Sequence, residues 1–111
     1  MKFNIQLTGF TERQAHRFFV KFSDFLEIMN YKFKRSFDEV HDNKSINFVG
    51  DYWIREESKI FNLDFLTIFL SKITSANGLE INYMVFDSEY KLLKKKVAKD
   101  SKKIVQVHIC Q

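Results

Sequence analysis

The chain has 111 residues, a mass of 13.3 kDa and a formal net charge of +4 at neutral pH. A hydrophobic share of 45% argues against a disordered chain. The length and the absence of proline argue against a linker and a second domain, so we expect a single α+β domain over residues 1–111. The only cysteine, Cys110, excludes an internal disulfide, and no segment has the roughly 20 consecutive apolar residues of a membrane-spanning helix.

The N-terminal segment, MKFNIQLTGF, alternates polar and apolar residues and lacks the apolar centre of a signal peptide. Together with the cysteine content, this pattern predicts a cytoplasmic protein. Amino acids with AT-rich codons supply almost half of the chain, which suggests an AT-rich microbial or phage genome.

The first elements show a strand pattern followed by a helix pattern. In residues 2–7, Phe3, Ile5 and Leu7 share one face and polar residues share the other, which is typical of a half-buried strand. Thr11 and Gln14 have the spacing of a capping box, so Thr11 is predicted to start a helix. The apolar residues of this helix recur at steps of three and four: Ala15, Phe18, Phe19, Phe22, Phe25, Leu26 and Met29.

Two more strands and a second helix are predicted next. Residues 31–37 alternate like a strand, and a polar loop is expected at 38–45. Residues 46–54 form either one strand or a hairpin, because Gly50 can be a bulge or a turn. If they form one continuous strand, the side chain of Trp53 points to the face opposite that of the strand's apolar residues. Asn62 is predicted to cap the second helix, and Asn77 or Gly78 to end it.

A lysine-rich segment separates the last two strand patterns. Residues 79–86 are apolar on both faces towards their end, which predicts a central strand. In LLKKKVAKDSKK, residues 92–103, the lysine spacing predicts an amphipathic helix with Leu92 and Leu93 packed inward. Residues 103–110 form a terminal strand with few charges, so a homodimer through this strand is one possibility.

The predicted order is βαββαβ followed by a helix and a strand. This order favours a ferredoxin-like α+β sandwich with an appended C-terminal helix and strand, and with both main helices on one face of the sheet. RNA-recognition motif domains share the order and stack bases on aromatic residues of their first and third strands. Here the first strand offers Asn4 and Gln6 on its outer face, so we assign no family.

No motif in the sequence specifies a reaction, and we expect no enzyme, metal or cofactor. His16, His41 and His108 are scattered over a helix, a loop and a strand, without the spacing of metal ligands. His108 and Cys110 would share a strand face, but two residues of suitable type do not make a catalytic dyad. The glycines stand alone, so no phosphate-binding loop is predicted.

Charge is unevenly distributed, and it suggests two functions. The first hypothesis is a small non-catalytic protein that binds another protein, as inhibitors, immunity proteins and anti-defence proteins do. Residues 38–64 are acidic overall, and the interface candidates there are Asp51, Tyr52, Trp53, Arg55, Glu56 and Glu57.

The alternative is a nucleic-acid- or ribosome-associated protein that binds phosphates through exposed basic residues. Residues 91–103 contain seven lysines and one aspartate, and a second basic stripe is expected on the first helix. The candidates are Lys91, Lys94, Lys95, Lys96, Lys99, Lys102 and Lys103, together with Arg13, Arg17 and Lys21.

Overall fold

A computed structural model describes residues 1–41, 46–55, 63–76 and 80–110. The elements are β1 (Lys2–Thr8), α1 (Glu12–Ile28), β2 (Phe33–His41), β3 (Ile46–Ile54), α2 (Leu63–Ala76), β4 (Asn82–Phe86), β5 (Leu92–Lys96) and β6 (Ile104–Cys110). The predicted α+β class is confirmed. The caps expected at Asn62, Asn77 and Gly78 lie outside the described residues, as do Glu56, Glu57 and the loop at 42–45.

All six strands form one sheet in the order β2-β3-β1-β6-β4-β5. The predicted ferredoxin-like arrangement, with the fourth strand beside the first, is not confirmed, because β6 lies between β1 and β4. β6 pairs antiparallel with β1 and parallel with β4. The apolar face of β6, formed by Val105, Val107 and Ile109, is buried in the core, and a central position lets the strand bury this face and pair both of its edges.

The central position of β6 corrects one prediction about partners. Both edges of this strand are paired within the chain, so it has no open edge for a second copy. The structure therefore does not support a homodimer through this strand, which the sequence had left as one possibility.

Both helices cover the same face of the sheet. Phe22 of α1 packs edge-on against Phe3 of β1 at 6.1 Å and against Phe69 of α2 at 5.2 Å between ring centroids. The capping box predicted at the start of α1 is present: the Thr11 hydroxyl accepts from the Gln14 amide, and the Gln14 side chain accepts from the Thr11 amide. No helix in the described parts of the chain is long and apolar enough to cross a membrane.

β2 and β3 form a long antiparallel hairpin. β2 continues to His41, beyond the predicted strand end at residue 37, because its register with β3 runs without interruption from Phe33 to His41. Residues 46–54 are one strand, and Gly50 is neither a turn nor a bulge. The absence of a side chain at Gly50 instead leaves room for the ring of Phe19.

The lysine-rich segment is not a helix. Leu92–Lys96 form β5, which pairs only with β4, and Leu92 and Leu93 remain 45% and 37% exposed instead of packing inward. The turn before β5 explains the difference: the Asp87 carboxylate accepts hydrogen bonds from the amides of Glu89 and Lys91, both at 2.9 Å. These bonds stabilise a hairpin turn, which overrides the helical spacing of the lysines.

Candidate functional site

The side of the sheet opposite the helices, called here the open face, is covered by neither helix; in the described chain, Tyr90 contacts it at His108 and the β5–β6 connection contacts it at Asn82. Its side chains alternate along each strand with the buried core residues, and on the three central strands all of them are half-buried. These residues are Lys2, Asn4, Gln6 and Thr8 on β1, Ile104, Gln106, His108 and Cys110 on β6, and Asn82, Met84 and Phe86 on β4.

Charge on the open face is concentrated away from its centre. Apart from Lys2, the central strands present neutral side chains there. The outer strands carry the other charges of this face: Lys34 and Asp38 on β2, Asp51 on β3 and Lys95 on β5. A neutral centre with a charged rim is the distribution seen at protein–protein interfaces.

Lys2 contacts Trp53 at one end of the open face and is itself held by Asp51, which Asn4 contacts. The Nδ2 of Asn4 donates to Oδ1 of Asp51 at 2.8 Å, and the Lys2 ammonium lies 3.5 Å from the same oxygen. The ammonium also lies 5.4 Å from the centre of the Trp53 ring, within the range of a cation–π contact. Trp53 is thus positioned by its neighbours while remaining 43% exposed.

His108 lies within an aromatic group on the same face. Its ring stacks on Phe86 with centroids 5.0 Å apart and an interplanar angle of 14°, and Tyr90 meets it at 4.9 Å and 67°. Burial lowers the pKa of His108, which favours the neutral imidazole. The partly covered histidine therefore adds to the uncharged centre of the open face. Cys110 lies on the same face, as the sequence predicted.

The predicted protein-interface residues do not form one surface. Asp51 and Trp53 lie on the open face, and Arg55 is exposed just beyond the end of β3. The prediction of Tyr52 as an interface residue was wrong. Its side chain is fully buried on the helix-covered face, because alternate residues of a strand point to opposite sides. Glu56 and Glu57 lie outside the described residues.

Tyr52 belongs to a buried polar group between α1 and β3. Its hydroxyl donates to the Phe19 carbonyl at 3.2 Å and lies 3.1 Å from the Ser23 hydroxyl. Ser23 in turn donates to the Phe19 carbonyl at 2.8 Å and accepts from Arg35 of β2 at 2.8 Å. Burial raises the pKa of Tyr52 to about 12, although the Ser23 hydrogen bond and the Arg35 charge oppose this change. These groups are structural, since they satisfy one another inside the core.

The lysine cluster is exposed except for the half-buried Lys103, but its members point in different directions. On β5, Lys94 and Lys96 lie opposite the core-facing Val85 and Tyr83, whereas Lys95 lies opposite Met84 and belongs to the open face. Lys91 is in the turn before β5. Beyond β5, Lys99 and Lys102 are exposed, and Lys103 lies 3.4 Å from the Gly9 carbonyl. Lysines on an edge strand discourage pairing with other chains, which explains the three lysines of β5 without a ligand.

The basic residues of α1 lie apart from this cluster. Arg13 and Arg17 are exposed and Lys21 is half-buried on a helix that packs over β1 and β3. β5 is three strands from β1, about 14 Å at the usual strand spacing. The structure does not combine the two sets into one basic surface.

A groove between α1 and β2 was not predicted from the sequence. Two helices packed 8–10 Å apart cover roughly 20 Å of a sheet, whereas six strands span about 24 Å between their outer axes. β2 therefore extends beyond the helices and leaves a groove of about 580 Å³ lined by Glu12, His16, Val20, Phe37, Glu39 and other residues. The high content of charged residues in β2 is typical of an edge strand, and it is the sequence signal that could have indicated this position.

The described residues contain no group of three or more histidine, cysteine, aspartate or glutamate side chains that could hold a metal ion. No protein-family model matches the chain, and no curated protein or solved structure matches it at a significant level.

Proposed function

We propose that this protein is a small non-catalytic binding protein that acts by protein–protein interaction through the open face of its sheet. The observation that carries the proposal is the neutral, half-buried centre of that face, surrounded by charged side chains. The non-catalytic part of the proposal depends on the sequence, which contains no motif for a reaction.

The size and composition of the open face support a protein as the partner. With five strand spacings and about six residues per strand, the open face has a flat area of roughly 500 Å². Its accessible area is larger because the side chains project from the sheet, so it approaches the area that one partner buries in a standard interface. Trp53 supplies an exposed aromatic anchor at the rim, and tryptophan is enriched among the residues that dominate binding energy. The amides of Gln6 and Gln106, opposite each other on β1 and β6, offer donors and acceptors at the centre.

A binding protein of this size would act as an inhibitor, an immunity protein or an anti-defence protein, and we place it in the cytoplasm. The alternative, nucleic-acid binding by the lysine cluster, has less support because Lys95 points away from Lys94 and Lys96. Phosphate contacts from one strand edge would need these lysines on a common surface.

The test combines affinity capture from the native host with variants of the open face. Gln106→Lys places a charge at the neutral centre, and Trp53→Ala removes the aromatic anchor. Ile68→Lys, a change at a half-exposed site on α2, is the control. We expect quantitative mass spectrometry to recover one stoichiometric protein with the wild type and Ile68→Lys, and to lose it with both open-face variants.

Direct binding can then be measured with the captured protein after purification. Trp53 is the only tryptophan of the chain, so its emission reports on the open face. Burial of the indole by a partner should shift the emission to shorter wavelength. Retention of the partner by Gln106→Lys and Trp53→Ala, or unchanged Trp53 emission at saturation, would contradict binding at this face.

A further inference from the structure

β2 is the edge strand at one end of the sheet. It pairs with β3 on one side, and no strand of the described chain pairs with its other side. Nine residues long, it is exposed at every position except Phe33, which is half-buried. Such an edge presents unpaired backbone donors and acceptors to any strand that can lie beside it.

The two edges of the sheet differ in their charge pattern. β5, at the opposite edge, has three consecutive lysines, Lys94, Lys95 and Lys96, so an antiparallel copy of this strand would bring like charges together. In β2, Lys34 and Arg35 precede Phe37, whereas Asp38 and Glu39 follow it. An antiparallel copy of β2 therefore meets the opposite sign at each end.

We propose that β2 pairs with β2 of a second copy of this chain, antiparallel and centred on Phe37, to form a two-fold symmetric dimer. In this register Arg35 lies opposite Glu39 of the second copy, and the two Phe37 residues lie opposite each other. A two-fold axis perpendicular to the sheet keeps the helices of both copies on the same side, so opposed residues share a face. The result is one continuous sheet built from two six-stranded sheets.

The surroundings of Phe37 support this register. Its ring packs on Phe19 with centroids 4.8 Å apart, but 47% of the side chain remains exposed at the groove between α1 and β2. Val20 of α1, another exposed apolar residue, lines the same groove. Pairing places a second apolar ring beside Phe37 and reduces the contact of this groove with water.

Existing contacts limit the strength of the pairing, and one of them is the contact of the Glu39 carboxylate with Nε2 of His41 at 3.3 Å. The amide of Glu39 already donates to the Asp38 carboxylate at 2.9 Å, a bond that a backbone carbonyl of the second copy can replace. Arg35 donates to Ser23 through one terminal nitrogen, and its guanidinium carries further N–H donors for the carboxylate of Glu39. We therefore expect a dimer whose population rises with protein concentration.

Cysteine crosslinking tests the register, with Cys110→Ser as the background. In the proposed dimer, Phe37→Cys places a thiol at the same position of both copies. The two Cα atoms would be about 4.5–5.5 Å apart, within the range of a disulfide. Val40→Cys is the matched control, because the exposed fraction of Val40, 49%, is similar to that of Phe37. In the proposed register, the two copies of Val40 would lie about 20 Å apart, too far for a disulfide. With oxidised glutathione as oxidant, we expect a covalent dimer from Phe37→Cys at a rate at least about tenfold above that of Val40→Cys.

A second measurement does not depend on cysteine. Light scattering should show the mass of the wild type rising from 13.3 kDa towards twice that value as concentration increases. Glu39→Lys places a lysine opposite Arg35 of the second copy, so it should raise the dimer dissociation constant about tenfold. Glu89→Lys, at the other edge of the sheet, should leave this constant unchanged. A wild type that stays monomeric at millimolar concentration, or equal crosslinking of Phe37→Cys and Val40→Cys, would overturn the proposal. Fastest crosslinking at Ser36→Cys would overturn the register.

Discussion

The ring of Phe19 rests directly on the backbone of Gly50, where a Cβ atom would stand 2.5 Å from Cε1 of the ring. Phe19 is itself buried and held by Phe18, Phe37 and Tyr52. The contact brings α1 close to the sheet at the middle of β3. A side chain at Gly50 must therefore displace either the ring or the helix.

We expect Gly50→Ala to lower the free energy of unfolding by about 1–3 kcal/mol, the usual cost of overpacking a core. Urea unfolding followed by circular dichroism measures this change. Adding Phe19→Leu should recover part of the loss, because the smaller side chain makes room for the new methyl group. Equal stability of Gly50→Ala and the wild type would mean that the close approach of ring and strand is absent.

Tyr52 should make stability fall at high pH. Burial raises its pKa from 10.0 to about 12, whereas the unfolded chain releases the proton near 10. Below pH 10 both states hold the proton and this contribution is constant; between pH 10 and 12 the unfolded state ionises first, so stability falls by up to about 2–3 kcal/mol.

The Tyr52→Phe variant tests this prediction, since it lacks the hydroxyl. Its unfolding free energy should decline less steeply above pH 10 than that of the wild type. Tyr31, whose pKa is also raised by burial, is present in both proteins and cancels in the comparison. Absorbance at 295 nm should show one late-titrating tyrosine more in the wild type than in the variant; parallel stability curves would contradict the assignment.

Asn82 should stabilise the connection between β5 and β6. Its Oδ1 accepts from the Ala98 amide at 2.7 Å, and its Nδ2 donates to the Ser101 carbonyl at 2.8 Å. We expect Asn82→Ala to cost about 1–3 kcal/mol, because it leaves partly buried backbone groups unpaired. Hydrogen exchange should become faster at Ala98, which loses its acceptor, and remain unchanged in α1. Unaltered exchange at Ala98 would contradict this role.

The β5 lysines should act on solubility. Replacing Lys94, Lys95 and Lys96 with threonine, a good strand former, keeps β5 while removing the charges that discourage edge pairing. We expect the triple variant to aggregate at lower protein concentration, measured by turbidity and light scattering, with Lys21→Thr on α1 as the control.

The same triple variant examines the nucleic-acid alternative. Fluorescence anisotropy with a labelled single strand should show weak binding by the wild type that disappears near physiological salt. Tight binding that persists at that salt concentration and is lost in the triple variant would favour the alternative over a protein partner.

The sequence was most informative where the chain repeats a clear period. The strand β1, the helix α1 with its capping box at Thr11 and the strand β6 were predicted within one or two residues, because their apolar residues follow the period of two or 3.6. The lysine-rich segment was predicted as a helix from spacing alone. In the structure, a short turn around Asp87 leads into a strand instead. In the sequence, one aspartate is a weaker indication of a turn than the spacing of seven lysines is of a helix.

Strand order could not be predicted from the same patterns. Alternation shows that Val105, Val107 and Ile109 face a core, but it does not show which strands lie on either side. The open face illustrates the same limit: Gln106 and Gln6 are 100 positions apart in the chain and meet only because β6 pairs with β1. The neutral centre of that face could not be predicted from the sequence, because it depends on β1, β6 and β4 lying side by side.

The position of β6 also has a consequence for how the molecule assembles. β6 is the last element in chain order, yet it joins the sheet half made of β2, β3 and β1 to the half made of β4 and β5. During synthesis, the two halves would emerge before the strand that unites them, each with unpaired backbone groups along one strand edge. Folding of the whole sheet therefore waits for β6, the strand that pairs with both halves.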